Sequence, residues 1–248
     1  MLFMAIIFIL LQTACSTTPS SHFLASSTSQ FKPPEDKAPL KVAVLPFDVA
    51  LYQKSASLRP VLKEDWTENA KTHLRTHLID YFEDSDWKID FVPESSLAQN
   101  HTLKQYSTLY EAVLESIFTY EFGNQRLPIK NKANVIWTLG DSANQISELE
   151  KYDYALFIKV HDTYSTTGSI ITSSLFNVGM IALTAYSPVV PVGVPILGLQ
   201  STYTSIVDLK TGDIIWFDSM GSKSGDLRTE EEAIRTVRAM FKRFPLKQ

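Results

Sequence analysis

The hydrophobic and polar positions of this chain change character along its length. Leu2 to Leu11 (LFMAIIFILL) is unbroken apolar sequence, and a polar stretch follows to Pro39. Only from Lys41 onward does the pattern take on the periods of secondary structure. Lys41 to Phe47 (KVAVLPF) is β-rich and apolar throughout. It predicts a strand buried on both faces, ended at Pro46, which cannot donate to a central ladder. From Lys63 to Glu83, Trp66, Ala70, Leu74, Leu78 and Phe82 recur at four-residue spacing with Tyr81 beside them, while Lys71 and Arg75 fall outside the stripe. That is one face of a long helix. Trp87 to Val92 (WKIDFV) alternates as a second strand and stops at Pro93. Leu103 to Phe122 predicts a second helix, with Tyr106, Leu109, Tyr110, Val113, Leu114, Ile117 and Phe118 inward and Gly123 as its C-terminal cap.

Residues 124–132 read as a loop, Ser142 to Lys151 as a shorter helix, and Tyr152 to His161 (YDYALFIKVH) as a strand. Gln200 to Leu209 and Asp213 to Ser219 then flank Lys210-Thr211-Gly212, where glycine supplies the positive φ of a tight turn, so the pair predicts a β-hairpin. The last helix carries a start signal. Thr229 and Glu232 have capping-box spacing, Glu230 and Glu231 add negative charge in the first turn, and Ala233, Ile234, Val237, Met240 and Phe241 form its apolar stripe. Lys242 and Arg243 follow, and Pro245 stops it. The expected fold is α/β (α+β): a mixed sheet of about five strands with three to four packed helices, a C-terminal hairpin and then a helix.

The apolar run at the start is too short for a bilayer, which takes about 20 helical residues, and has the length of a signal-peptide core. Gln12-Thr13-Ala14-Cys15 follows it, with a small residue before the chain's one cysteine. This resembles the lipobox of bacterial lipoproteins, with Gln12 where leucine is usual. The resemblance implies cleavage after residue 14 and attachment of diacylglycerol and palmitate to Cys15. Ser16, in place of the aspartate that favours inner-membrane retention, implies an outer-membrane lipoprotein facing the periplasm. Residues 15–39 are then a lipidated cysteine and a disordered Ser/Thr/Pro tether, and residues 40–248 one domain.

Composition narrows the function. The net charge of −4 gives no electrostatic footprint for nucleic acid. A single cysteine leaves an exported body without an internal disulfide, so its core must hold the fold.

Three stretches carry a second resemblance: KVAVLPF, DYALFI at residues 153–158, and VDLKTGDIIWFDS with DLRTEEEA near the end. Together they resemble the TolB N-terminal-like α/β domain of periplasmic lipoproteins, such as curli-secretion-channel-type proteins and activators of penicillin-binding proteins. The shared motifs specify a hairpin, not a reaction. The resemblance implies a fold and an envelope location, and function transfers weakly through it.

Between Asp162 and Asp208 no residue is charged. The middle of that interval, an apolar insertion at about 170–199, includes Leu175, Phe176, Met180, Val189, Val190, Val192, Ile196 and Leu197, the candidate interaction surface. Three readings stay open: burial on the domain's own sheet, contact with a partner or membrane, and a pore or span. Pro188, Pro191 and Pro195 argue against one spanning helix, since an interior proline costs a helix about 3 kcal/mol.

Candidate chemistry is sparse. His73 and His77 have the i, i+4 spacing of a metal pair, but no third ligand is evident, so they read as boundary histidines. Gly221-Ser222-Lys223-Ser224-Gly225 has lysine where the Gly-x-Ser-x-Gly elbow needs its nucleophilic serine. His161-Asp162 reads as a polar strand terminus, and Asp226 and Arg228 as residues that fix the approach to the last helix. No phosphate-binding or dinucleotide motif occurs. The expectation is a non-enzymatic envelope lipoprotein without metal or cofactor. Its partners would be a membrane, through the lipid, and an envelope protein, with homo-oligomerisation as a possibility. The alternative is an oligomeric export or pore component using residues 170–200.

Overall fold

The computed structural model describes residues 22–23, 39–54, 60–122, 127, 135–165, 201–221 and 225–244. β2 (Leu40–Val44) lies inside the sheet, parallel to β5 (Trp87–Phe91) on one side and to β6 (Tyr154–Ser165) on the other. Val42, Ala43 and Val44 are fully buried, as the run of apolar residues requires. The ladder loosens at Leu45-Pro46-Phe47. Leu45 still donates its N–H to the Leu156 carbonyl at 3.0 Å, but Pro46 has no N–H to give. The chain then rejoins the sheet as β3 (Asp48–Lys54), farther along the same β6. The expected strand thus ends ahead of Pro46, as predicted, and a second, unforeseen strand follows it on the same neighbour.

β7 (Ser201–Asp208) is antiparallel to β6, and β8 (Ile214–Met220) antiparallel to β7. Two-residue strands complete the sheet: β4 (Val61–Leu62) beside β3, and β1 (His22–Phe23) beside β8. The order is β1-β8-β7-β6-β2-β5, with β3 and β4 extending the sheet along β6. Eight strands stand where about five were expected: β3 was not anticipated, and the two-residue strands β1 and β4 leave no periodicity to read. Within residues 15–39, His22 and Phe23 pair in register with Ser219 and Asp218.

Helices cover both faces. α1 (Glu64–Phe82) and α4 (Glu230–Met240) pack on one, burying Ala70, Leu74, Leu78, Phe82, Ala233, Val237 and Met240 against Val42, Leu156 and Trp216. α3 (His101–Ile117) packs on the other through Leu103, Tyr106, Tyr110, Leu114 and Ile117, over Ala43, Phe157 and Phe217. β6 shows why its sequence is apolar almost throughout: Leu156, Ile158 and Val160 serve the first core and Ala155 and Phe157 the second. At the end of the sheet where β6 begins, Trp216 stacks on Phe241 with centroids 5.7 Å apart, and Phe244 meets Trp87 edge-on at 4.8 Å.

Several expectations need correction. A short helix, α2 (Glu94–Gln99), precedes α3, and Asn100 caps α3 by accepting the Leu103 N–H at 3.0 Å. α3 passes into a π-helical turn, Phe118–Phe122, and Leu109 is exposed rather than inward. Residues 142–151 form no α-helix. A 3-10 turn, Gly140–Gln145, is followed by tight turns, because Gly140 adopts a φ of 65° and its carbonyl sits where a side chain on Gly212 would be. Gly212 takes the expected positive φ, 76°. The capping box of α4 does not form. The Thr229 hydroxyl donates to the Asp226 carbonyl at 3.3 Å, and Glu232 pairs with Arg235 at 2.5 Å. Gly123, Pro245 and the apolar insertion lie outside the described residues. Among the described residues no helix is long and apolar enough to cross a membrane.

Candidate functional site

The interruption at Pro46 opens the sheet at the carboxyl ends of β2 and β5, the place where ligands bind in open α/β sheets. A cleft lies on each face of Pro46-Phe47. One, of about 260 Å³, is lined by Phe47, Asp48, Ser107, Tyr110, Glu111 and Lys159. The other, of about 210 Å³, is lined by Phe47, Glu68, Lys71, Arg75, Phe91 and Glu94.

β3 and β6 set the charges of the first cleft. Asp48 and Lys159 are directly opposite in the parallel register, and Lys159 Nζ is 2.5 Å from Asp48 Oδ2. His161, two residues along β6 and so on the same face, brings Nε2 to 3.1 Å from Asp48 Oδ1. Burial works against ionising Asp48, but the hydrogen bonds and positive charge of His161 and Lys159 outweigh it and bring the carboxyl down to about 2. A carboxylate so acidic is a poor proton acceptor at neutral pH. This trio joins two strands by electrostatics and does not form a base.

In the second cleft Lys71 stands 3.0 Å from both Glu68 and Glu94. Burial alone would lower its pKa, but the two carboxylates raise it and hold the ammonium charged. The Arg75 guanidinium lies 4.1 Å from the centre of the Phe91 ring. Lys71 and Arg75 lie outside the apolar stripe, as expected, Arg75 exposed and Lys71 half-buried. The chain crossing at Pro46 and the end of β5 bring Glu94 and Phe91 against them.

A third cluster lies on the α1 face near the end of β6. Asp226 and Arg228 form a two-pronged ion pair, Nε to Oδ1 at 2.8 Å and Nη2 to Oδ2 at 2.6 Å. The Arg228 guanidinium lies against two rings that themselves meet edge-on, 3.8 Å from the centre of Tyr164 and 4.7 Å from that of Trp66. Burial first, then the nearby carboxylates of Asp162 and Asp226, hold the Tyr164 phenol far above its ordinary pKa. Its hydroxyl is buried and meets neither carboxylate in good hydrogen-bond geometry. Asp162, itself buried, is pushed up by desolvation against the hydrogen bond it accepts from the Thr163 N–H at 2.6 Å. Asp226 and Arg228 do fix the approach to α4, as expected. This cation–aromatic cluster was not legible, because Trp66, Tyr164 and Arg228 are far apart in sequence.

The remaining sequence candidates separate. His73 Nδ1 lies 2.9 Å from the Leu227 carbonyl, while His77 is buried with Nδ1 3.4 Å from Asp80. His73 and His77 thus serve different contacts, one from helix to loop and one along the helix. His161-Asp162 is not a strand terminus, since β6 runs on to Ser165 and its two side chains join clusters on opposite faces. The spacing Lys159-x-His161 was the available signal for the Asp48 cluster, as alternate residues of a strand share a face. Cys15, Leu175, Phe176, Met180, Val189, Val190, Val192, Ile196 and Leu197, and Ser222 to Ser224, lie outside the described residues.

No protein-family model and no curated protein matches the chain. Among solved structures it is similar to a PelC dodecamer from Paraburkholderia phytofirmans, with 12% identity over 93% of this chain and 99% of that one and a TM-score of 0.35. An L103M form of the same dodecamer gives 10% identity over 88% of this chain and 91% of that one, with a TM-score of 0.34.

β6 and β7 are neighbours in an antiparallel pair, with His161 opposite Ser201. Two to five residues would suffice to join such strands. The chain instead places residues 166–200 between them, with no Asp, Glu, Lys or Arg. The fold itself does not require that length.

Proposed function

We propose that this chain is a non-enzymatic lipoprotein of the bacterial cell envelope. In this reading Cys15 carries the lipid, the protein faces the periplasm from the outer membrane, and residues 40–248 are one interaction domain of the TolB N-terminal-like kind. The observation that carries the reading is the long uncharged connection between adjacent antiparallel strands. A connection that closure does not need, and that carries no charge over residues 166–200, suits contact with an apolar surface. The lipobox-like sequence at Cys15 supplies the location. The clefts beside Pro46 are consistent with it, because Asp48 with Lys159, and Lys71 with Glu68 and Glu94, already pair with one another.

The test replaces residues 167–199 by a short Asn-Gly turn. The expected product keeps its circular-dichroism spectrum and loses its envelope partner in whole-cell crosslinking. If the shortened protein instead retained its partner, or if the purified domain turned over a substrate and a single substitution in either cleft abolished that activity, the reading would fail. Labelling with a lipid precursor tests the anchor, and Cys15→Ala is expected to lose the label.

A second reading is a homo-oligomeric export or pore component that meets the membrane through residues 170–200. Their lack of charge favours it equally. Light scattering of the full chain in detergent separates the two: a monomer removes the second reading.

A further inference from the structure

β8 is the last long strand on its side of the sheet, and an uncovered strand edge invites pairing with other chains. This edge is covered at both ends. Where β8 begins, Ile214 donates its N–H to the Trp137 carbonyl at 2.8 Å, and Thr138 bridges Asp213. Where β8 ends, His22 stands opposite Ser219 and Phe23 opposite Asp218, antiparallel. The opposite edge of the sheet, β5, carries exposed Lys88 and Asp90, charges that discourage pairing.

The direction of β1 has a consequence for the whole body. β6 and β8 are both antiparallel to β7, so they run the same way, and β1 runs against them. The residues before His22 therefore approach from the end of the sheet where β6 finishes at Ser165, β7 begins at Ser201 and β8 finishes at Met220.

We propose that the segment ahead of the body docks in cis as an edge strand on β8, and that this docking turns the Ser165/Ser201/Met220 end of the sheet toward the membrane. The pairing is β-strand addition, in which main-chain hydrogen bonds provide the hold. Its effect is on reach. From Cys15 to Leu40 a free chain could extend about 85 Å, whereas the seven residues from Cys15 to His22 extend about 25 Å at most. A docked segment makes the body a close-held, oriented one. The orientation rests on the lipid-anchor reading, while the strand pairing does not.

The pairing is tested in the full chain carrying Cys15→Ser with His22→Cys and Ser219→Cys. Opposed residues of an antiparallel pair have Cα atoms about 4.5–5.5 Å apart, within disulfide range. Mild oxidation is expected to form an intramolecular bond, at least tenfold faster than in the out-of-register pair His22→Cys with Ile215→Cys. Equal rates in the two pairs would overturn the docking. A bond formed chiefly between chains would overturn its cis character and make a second copy the occupant.

The orientation is tested with the native N-terminus on vesicles containing acceptor-labelled lipid. Val61→Cys, exposed near the end where β6 finishes, and Asp86→Cys, exposed at the opposite end beside β5, carry the donor dye. Higher transfer from position 61 is expected, and equal or reversed transfer overturns the orientation. A chain that forms the in-register bond yet never associates with a membrane would remove the lipid anchor, and with it the orientation, while the strand docking stood.

Discussion

The Asp218 carboxylate, 2% exposed within β8, accepts the Arg243 Nε–H at 3.0 Å from just beyond the last helix. A second guanidinium nitrogen reaches the other carboxylate oxygen. The pair fastens the end of α4 to the sheet on the face that holds Trp216 and Phe241. Desolvation pushes Asp218 upward, and Arg243 acts against that push.

Removing the arginine leaves a buried charge without its partner. Arg243→Met is therefore expected to cost about 3 kcal/mol, measured by urea denaturation at neutral pH. A raised folded pKa means that the folded state holds a proton which the unfolded state has already released, so stability falls as pH rises through it. The deficit of Arg243→Met should shrink as pH is lowered toward Asp218's elevated titration. A deficit independent of pH would show that lost packing, not lost charge, is the cause.

Asp48 has the opposite sign. Its folded pKa of about 2 lies below the ordinary 3.8, so its contribution is complete above the ordinary value and is lost as pH falls from there toward 2. Asp48→Asn should flatten the stability curve in that window. At neutral pH it should cost no more than about 1 kcal/mol, because the carboxylate is 40% exposed and its ion pairs are screened by solvent.

Arg228→Lys keeps the charge and loses the plane. A lysine cannot lay a flat guanidinium against Tyr164 and Trp66 or hold Asp226 with two prongs. The expected loss is about 1–2 kcal/mol in thermal or chemical unfolding. A Lys variant as stable as the parent would mean that charge alone matters at this site.

Gly212→Ala is expected to be worse than an ordinary surface change. The residue holds a φ of 76°, and a Cβ there would stand 1.8 Å from the Gly140 carbonyl oxygen. Left-handed backbone alone costs an L-residue about 1–2 kcal/mol, and the clash must also be relieved by moving the 3-10 turn. A loss above about 2 kcal/mol in unfolding free energy should accompany it. Gly140→Ala, also at positive φ but with open space around its Cβ position, should lose less.

Sequence pattern was sufficient wherever a long element buried one continuous face. The stripe of α1, the runs that became β2 and β6, and the hairpin with Gly212 at its turn were all legible, because burial of a regular element imposes its own period. Pattern was insufficient for α2 and the 3-10 turn, whose few residues span too little of any period. It also misassigned Leu109, which lies next to the stripe of α3 but turns to solvent.

By itself the sequence determined the class of fold, the order of its main elements, the single cysteine after the apolar run at residues 2–11, and the uncharged stretch after β6. Each is a property of consecutive residues. Only the tertiary structure decided that Asp48 meets Lys159 and His161, that Arg228 lies against Trp66 and Tyr164, that Asp218 is held by Arg243, and that His22 and Phe23 pair with β8. These contacts join residues far apart along the chain. Strand order and register bring them together, and no local propensity encodes either one.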